Sequence, residues 1–224
     1  MVETLSLANR MDIPSPSVSP RERLILAAER LFARSGIDAV PLREIARAAK
    51  NGNNNAVQYH FGTREGLLRA IFSYRIHQLN RLRSAILAEQ DVGGQGPDLR
   101  GVVKAWLLPL ALIVDEGGKH NYAAFMAHYV LTNISVDTAL AVANTPAERA
   151  SLSQFIDLIA RALPHLPMPT LLERIQLTYL TFANMLVRHD NSVPHDSTDR
   201  LDASVRDTLE CIVAYLSAPF PTGF

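Results

Sequence analysis

The chain has 224 residues, 48% hydrophobic, 20% charged and 7% aromatic, a balance that fills one ordinary buried core and excludes disordered and collagen-like chains. One cysteine, Cys211, excludes a disulfide framework and a cysteine-based zinc site, and a lone thiol in an apolar helical context points to a reducing compartment, the cytoplasm. The formal net charge of +0 hides an asymmetry: residues 1–90 carry 13 Lys and Arg against 8 Asp and Glu, whereas residues 91–224 carry 9 against 14. Excess cationic charge in the N-terminal part is what a polyanionic partner requires. The longest apolar run, Ala105 to Val114, contains Pro109 and falls short of the roughly 18–20 residues that span a bilayer. Residues 1–19 lack the cationic-then-apolar order of an export signal.

Residues 1–18, with Pro14 and Pro16 among serines and no apolar period, read as a flexible arm. Ser19-Pro20-Arg21-Glu22 then sets a hydroxyl at N-cap, proline at the first helical position and glutamate at N3, the spacing of a capping box. Leu24, Ile25, Ala28, Leu31 and Phe32 follow at helical spacing, with Gly36 as the stop. A second helix fits Leu42, Ile45, Ala46 and Ala49, opened by Pro41 and closed by Lys50-Asn51-Gly52-Asn53. A third apolar segment, Ala56 to Phe61, is barely two turns long. From Thr63 a longer helix runs to about residue 88, ended by Gly93-Gly94-Gln95-Gly96-Pro97. Further helices are predicted over Leu99 to Asp115, His120 to Thr132, Pro146 to Leu163, Pro169 to His189 and Asp199 to Ser217, with Pro109 kinking the first of them. No stretch alternates like a strand and no repeat is visible, so the fold class is all-α.

Two short helices joined by a tight polar turn, preceded by a third and set in the basic part of the chain, match the helix-turn-helix plan. The segment Val57-Gln58-Tyr59-His60-Phe61-Gly62-Thr63-Arg64-Glu65-Gly66-Leu67-Leu68, arriving after Leu31-Phe32, Gly36 and Ile45-Ala46, sharpens it. This order, over about residues 20–80, resembles the N-terminal domain of TetR-family transcriptional regulators, and Val57-Gln58-Tyr59-His60-Phe61 looks like a sub-pattern of that family. The chain departs from the usual pattern in two places. The interval Ile45 to Phe61 is one residue longer, with Lys50-Asn51-Gly52-Asn53 in place of Gly-Val-Ser, and Pro41 stands where a threonine usually opens helix two, removing a hydroxyl and an N–H.

The resemblance implies a helix-turn-helix DNA-binding domain over 19–66, its motif at about 42–61, and an effector-binding and dimerisation domain over 67–224. Amides on Asn53, Asn54, Asn55 and Gln58 can pair with adenine or donate to phosphates, and Ala56 is small enough to admit a thymine methyl. Asn51 and Asn53 equally suit an ordinary turn. Arg43, Arg47, Lys50 and Arg64 are candidate phosphate contacts, with Arg21 or Arg23 as further ones. By resemblance Tyr59 and His60 meet the DNA backbone. In the second domain Trp106, Tyr122, Phe125, Met126, Tyr129, Phe155, Tyr179, Phe182 and Met185 are large or adaptable, and by resemblance some of them line a cavity for an apolar effector, with His128 and Asn133 as polar groups. Leu171, Ile175, Tyr179, Phe182 and Leu186 form one apolar seam, and Leu201, Val205, Leu209, Ile212 and Leu216 another. Such a pair suits either a four-helix interface between two subunits or packing within one.

No Ser-His-Asp set, carboxylate pair, phosphate loop or metal-ligand spacing stands out, so neither an enzyme nor a metal or other cofactor is expected. The expectation is a ligand-responsive repressor, a cytoplasmic homodimer on palindromic double-stranded DNA with a small-molecule effector and no membrane partner. The competing class is an all-α adaptor whose head contacts protein.

Overall fold

A computed structural model describes residues 18–90, 96–132, 146–192 and 198–220, all helices and connections with no strand among them. Most of the sequence assigned to the N-terminal arm, most of the glycine-rich break after the fourth helix, and Asn133 lie outside the described residues. In chain order the helices are α1 (Pro20–Ser35), α2 (Leu42–Ala48), α3 (Ala56–Phe61), α4 (Arg64–Gln90), α5 (Leu99–Leu112), α6 (Asn121–Thr132), α7 (Pro146–Ala162), α8 (Met168–Asp190) and α9 (Thr198–Ser217). Among the described residues, no helix is long and apolar enough to cross a membrane.

The predicted capping box is present at the start of α1. Ser19 Oγ accepts from the Glu22 amide at 3.2 Å and Glu22 Oε2 accepts from the Ser19 amide at 2.8 Å. Gly36 ends the helix at φ 82° and ψ 162°, donating its amide to the Phe32 carbonyl, in a region of backbone space open essentially to glycine alone. The helix predicted to reach Asp115 stops at Leu112, after running on past Pro109. Asp115 is the reason. Its Oδ1 accepts from the amides of Gly117 and Lys119, both at 2.9 Å, so the carboxylate organises a turn that competes with helix.

One continuous apolar core extends from Leu24 in α1 to Leu216 in α9. The most extensive helix contact joins α1 to α6, where Phe32 stacks on Phe125 at 6.1 Å and Phe72 of α4 approaches Phe125 at 5.4 Å. Beside them Glu29 and Arg75 form a buried ion pair at 2.6 Å, tying α1 to α4. At the start of α6, Asp190 of α8 accepts from the His120 amide and from its Nδ1, both at 2.7 Å, while the His120 Nε2 meets the Ala111 carbonyl at 3.2 Å.

Candidate nucleic-acid interface

The polar segment between α2 and α3 is shaped by asparagine chemistry. Asn51 Oδ1 accepts from the Asn53 amide at 3.0 Å and Asn53 Oδ1 accepts from the Asn55 amide at 2.9 Å. Two successive side-chain turns thus lead the chain into α3, with Lys50 before them in a left-handed conformation at φ 52°. Asn51 and Asn53 therefore use their carbonyl oxygens locally. Asn54, Asn55 and Gln58 are exposed, and Tyr59 is 82% exposed. A tyrosine standing almost entirely in water on a two-turn helix buries little of its ring in the isolated chain.

Below this surface Ala56 and Val57 are buried and hold α3 onto the head. Ala56 is 2% exposed, so its methyl packs inward and cannot reach a thymine; what it contributes is a close seat for the helix. His60 is half-buried and lies edge-on to Tyr59 at 5.0 Å. Arg43, Arg47 and Lys50 are exposed along α2 and the turn. Arg64 differs from the expected phosphate contact, because its guanidinium donates to the carbonyls of Ile37 and Val40 at 2.5 and 2.9 Å. It stitches the α1–α2 connection to the start of α4, a role unreadable from sequence because its partners are backbone atoms 24 and 27 residues away. Arg21 lies over the Phe61 ring at 5.1 Å and Arg23 donates to the Val18 carbonyl.

The residues expected around an effector separate into two groups. Tyr122, Phe125 and Tyr129 pack with Phe32 and Phe72 where the head meets the body. Trp106, Phe155 and Tyr179 form a second cluster, with Trp106 at 5.5 Å from Phe155 and 6.4 Å from Tyr179. Phe182 is fully buried, whereas Met126 and His128 are half-buried. Sequence reasoning passed over Arg83, which inserts among the second cluster with its carbon 4.7 Å from the Trp106 ring centre. The signal was available: Arg75, Leu79 and Arg83 recur at i, i+4 and i+8, so two cations occupy a core-facing register.

The two seams that suit either a subunit interface or packing within one chain are buried within the chain. Leu171, Ile175, Phe182 and Leu186 of α8 and Leu201, Val205, Ile212 and Leu216 of α9 are all under 8% exposed without any partner, and Leu209 is half-buried. They join α8, α9 and their neighbours inside the chain. The outward residues are different ones, Glu173, Leu177, Thr181 and Asn184 on α8 and Ala203, Glu210, Ala214 and Ser217 on α9. Among the described residues no group of His, Cys, Asp and Glu is arranged to hold a metal ion.

Residues 24–71 match the family model described as bacterial regulatory proteins, tetR family. The fold is that of solved TetR-type regulators. A TetR family transcription regulator from Marinobacter aquaeolei VT8 superposes with a TM-score of 0.55 at 15% identity, over 85% of this chain and 94% of that one. A TetR-family structure from Rhodococcus sp. gives 0.55 at 16% identity, over 87% and 98%, and one from Shewanella sp. PV-4 gives 0.54 at 18%, over 88% and 97%. Among curated proteins, none matches this sequence.

Proposed function

We propose that the chain is a DNA-binding transcriptional regulator, a homodimeric repressor that a small effector releases from a palindromic operator. The observation that carries the reading is the outward face of the α2–α3 unit, where Asn54, Asn55, Gln58 and a solvated Tyr59 are flanked by Arg43, Arg47 and Lys50. Amides and a phenol suit base edges and phosphates in a major groove, and the cations suit the backbone on either side. The family match over 24–71 falls on the same segment. Head and effector region then divide the chain at about residue 66, with α4 running through both.

Dimerisation follows from the task, since one such motif reads too few bases and two half-sites lie about 34–36 Å apart. The outward faces of α8 and α9, centred on a half-exposed Leu177, are the surface offered for it. The mechanical link between effector and head is α4 together with the Glu29–Arg75 pair. An effector that favours a second head spacing weakens DNA binding by the same factor with which DNA weakens the effector.

The test is fluorescence-anisotropy binding to duplexes flanking the chain's own gene, against scrambled duplex, at several salt concentrations. Tight binding to one flank with about 10³ discrimination is expected, and affinity falling with log salt at a slope of about −4 to −5 as four to six phosphates are neutralised. Weak, equal and salt-insensitive binding to every duplex would replace this reading with the protein-adaptor one.

A further inference from the structure

Two buried arginines on α4 stand in opposite circumstances. Arg75 and Arg83 are 7% and 5% exposed. Arg75 donates to both carboxylate oxygens of Glu29, at 2.7 and 2.6 Å, and to Gln78 at 3.0 Å. Burial works against the Arg75 charge, yet Glu29 more than offsets it and holds the group above its ordinary pKa. Among the described residues, the side chain of Arg83 makes one hydrogen bond, to Oδ1 of Asn80 at 3.2 Å. No carboxylate among the described residues pairs with it. Its Nε has no partner, and neither has the indole Nε1 of Trp106; they are the two unsatisfied buried side-chain polar atoms among the described residues.

Among the described residues, the surroundings do not supply the missing charge. The guanidinium carbon is 4.7 Å from the Trp106 ring centre and 5.0 Å from that of Phe155. Ring faces attract a cation but leave its Nε–H without an acceptor. The neighbouring phenols of Tyr122 and Tyr179 are pushed far up by burial and stay neutral, and burial lowers the pKa of Arg83 itself. Native folds leave few buried donors unpaired, and an uncompensated buried cation is the most costly kind.

We propose that the cluster of Trp106, Phe155 and Tyr179 around Arg83 is the effector site, and that the effector is an apolar molecule bearing one carboxylate. The carboxylate accepts from the Arg83 edge and the Trp106 indole N–H, and the apolar body packs against the rings. A phosphate would bring a second negative charge that one guanidinium leaves uncompensated, so the site selects a carboxylate. The assignment rests on the regulator reading above. It also supplies its linkage, because Arg83 shares α4 with Arg75, which grips Glu29 of α1.

The chain contains a single tryptophan, so its emission reports on the site directly. The full chain is titrated with 3-phenylpropanoate and decanoate and with the matching alcohols. A saturable emission change is expected with the acids, at least about tenfold tighter than with the alcohols. Arg83→Met removes that preference, and Trp106→Phe, followed by thermal shift, weakens the acids and not the alcohols. Without ligand, Arg83→Met melts at or above the wild-type temperature, since it removes an uncompensated charge. Absence of a saturable response to either acid, equal affinity for acid and alcohol, or a ligand-free Arg83→Met chain clearly less stable than wild type each overturns the proposal, the last by showing that the Arg83 charge is already compensated without a ligand. Duplex binding is measured alongside. Acid binding that leaves duplex affinity unchanged overturns the effector role, whereas a chain that binds no duplex overturns the regulator reading while the titration stands on its own.

Discussion

At Gly36 the backbone takes φ 82° and ψ 162° with open space where a side chain would go. Only the backbone resists a substitution there, so Gly36→Ala is expected to cost about 1–3 kcal/mol, read as a lower midpoint in denaturant without a changed slope. The candidate base and phosphate contacts separate by a different measurement. Gln58→Ala is expected to cost about 1–3 kcal/mol in operator affinity and to relax preference at one base pair. Lys50→Asn keeps a residue that tolerates the left-handed backbone and removes one charge, so it weakens all duplexes alike and reduces the magnitude of the salt slope by about 1. If Gln58→Ala behaves like Lys50→Asn, α3 does not read bases.

Among the elements, α6 is held by unlike chemistry along its length and at its start. Phe125 and Tyr129 in its middle pack against α1 and α4, while its N-terminal end is anchored by Asp190 of α8 through the His120 amide and ring. The Lys119 ammonium also donates to the Asp190 carbonyl. Asp190→Ala leaves the His120 amide and its ring Nδ1 without their acceptor, at a cost of about 2 kcal/mol or more. Hydrogen exchange should show the first turn of α6 opening while α1 to α3 keep their protection; uniform loss across the chain would show that the latch is not local.

For the whole molecule, the buried seams and the outward face of α8 and α9 make opposed predictions. Leu171 is 1% exposed and Leu177 is 50% exposed, six residues apart on one helix. Leu171→Ala is expected to destabilise the fold by about 2–5 kcal/mol, whereas Leu177→Arg leaves the melting of each subunit nearly unchanged and shifts the dimer toward monomer. Sedimentation over a range of concentrations distinguishes them, and a dimer untouched by Leu177→Arg would place the interface elsewhere. Loss of the dimer should also reduce operator affinity steeply, because two half-sites are then bound independently.

Local chemistry made much of the head legible in advance. The capping box, the glycine stop of α1, the short α2 and α3 and the asparagine turn are set by residues within a few positions of one another, and the apolar period determined that the fold class is all-α. The order of motifs from Leu31 to Leu68 likewise determined where a nucleic-acid surface would be sought. What lay beyond the sequence was direction and partnership over long range. Helical spacing marks an apolar stripe without saying whether it faces its own chain or another, and so the seams of α8 and α9 could be read outward until burial turned them inward. Arg64, Arg75 and Arg83 are alike as letters. Tertiary packing gives the first two backbone carbonyls and a carboxylate and leaves the third with an unpartnered Nε, because the cost of a buried charge depends on groups that only the fold brings near it.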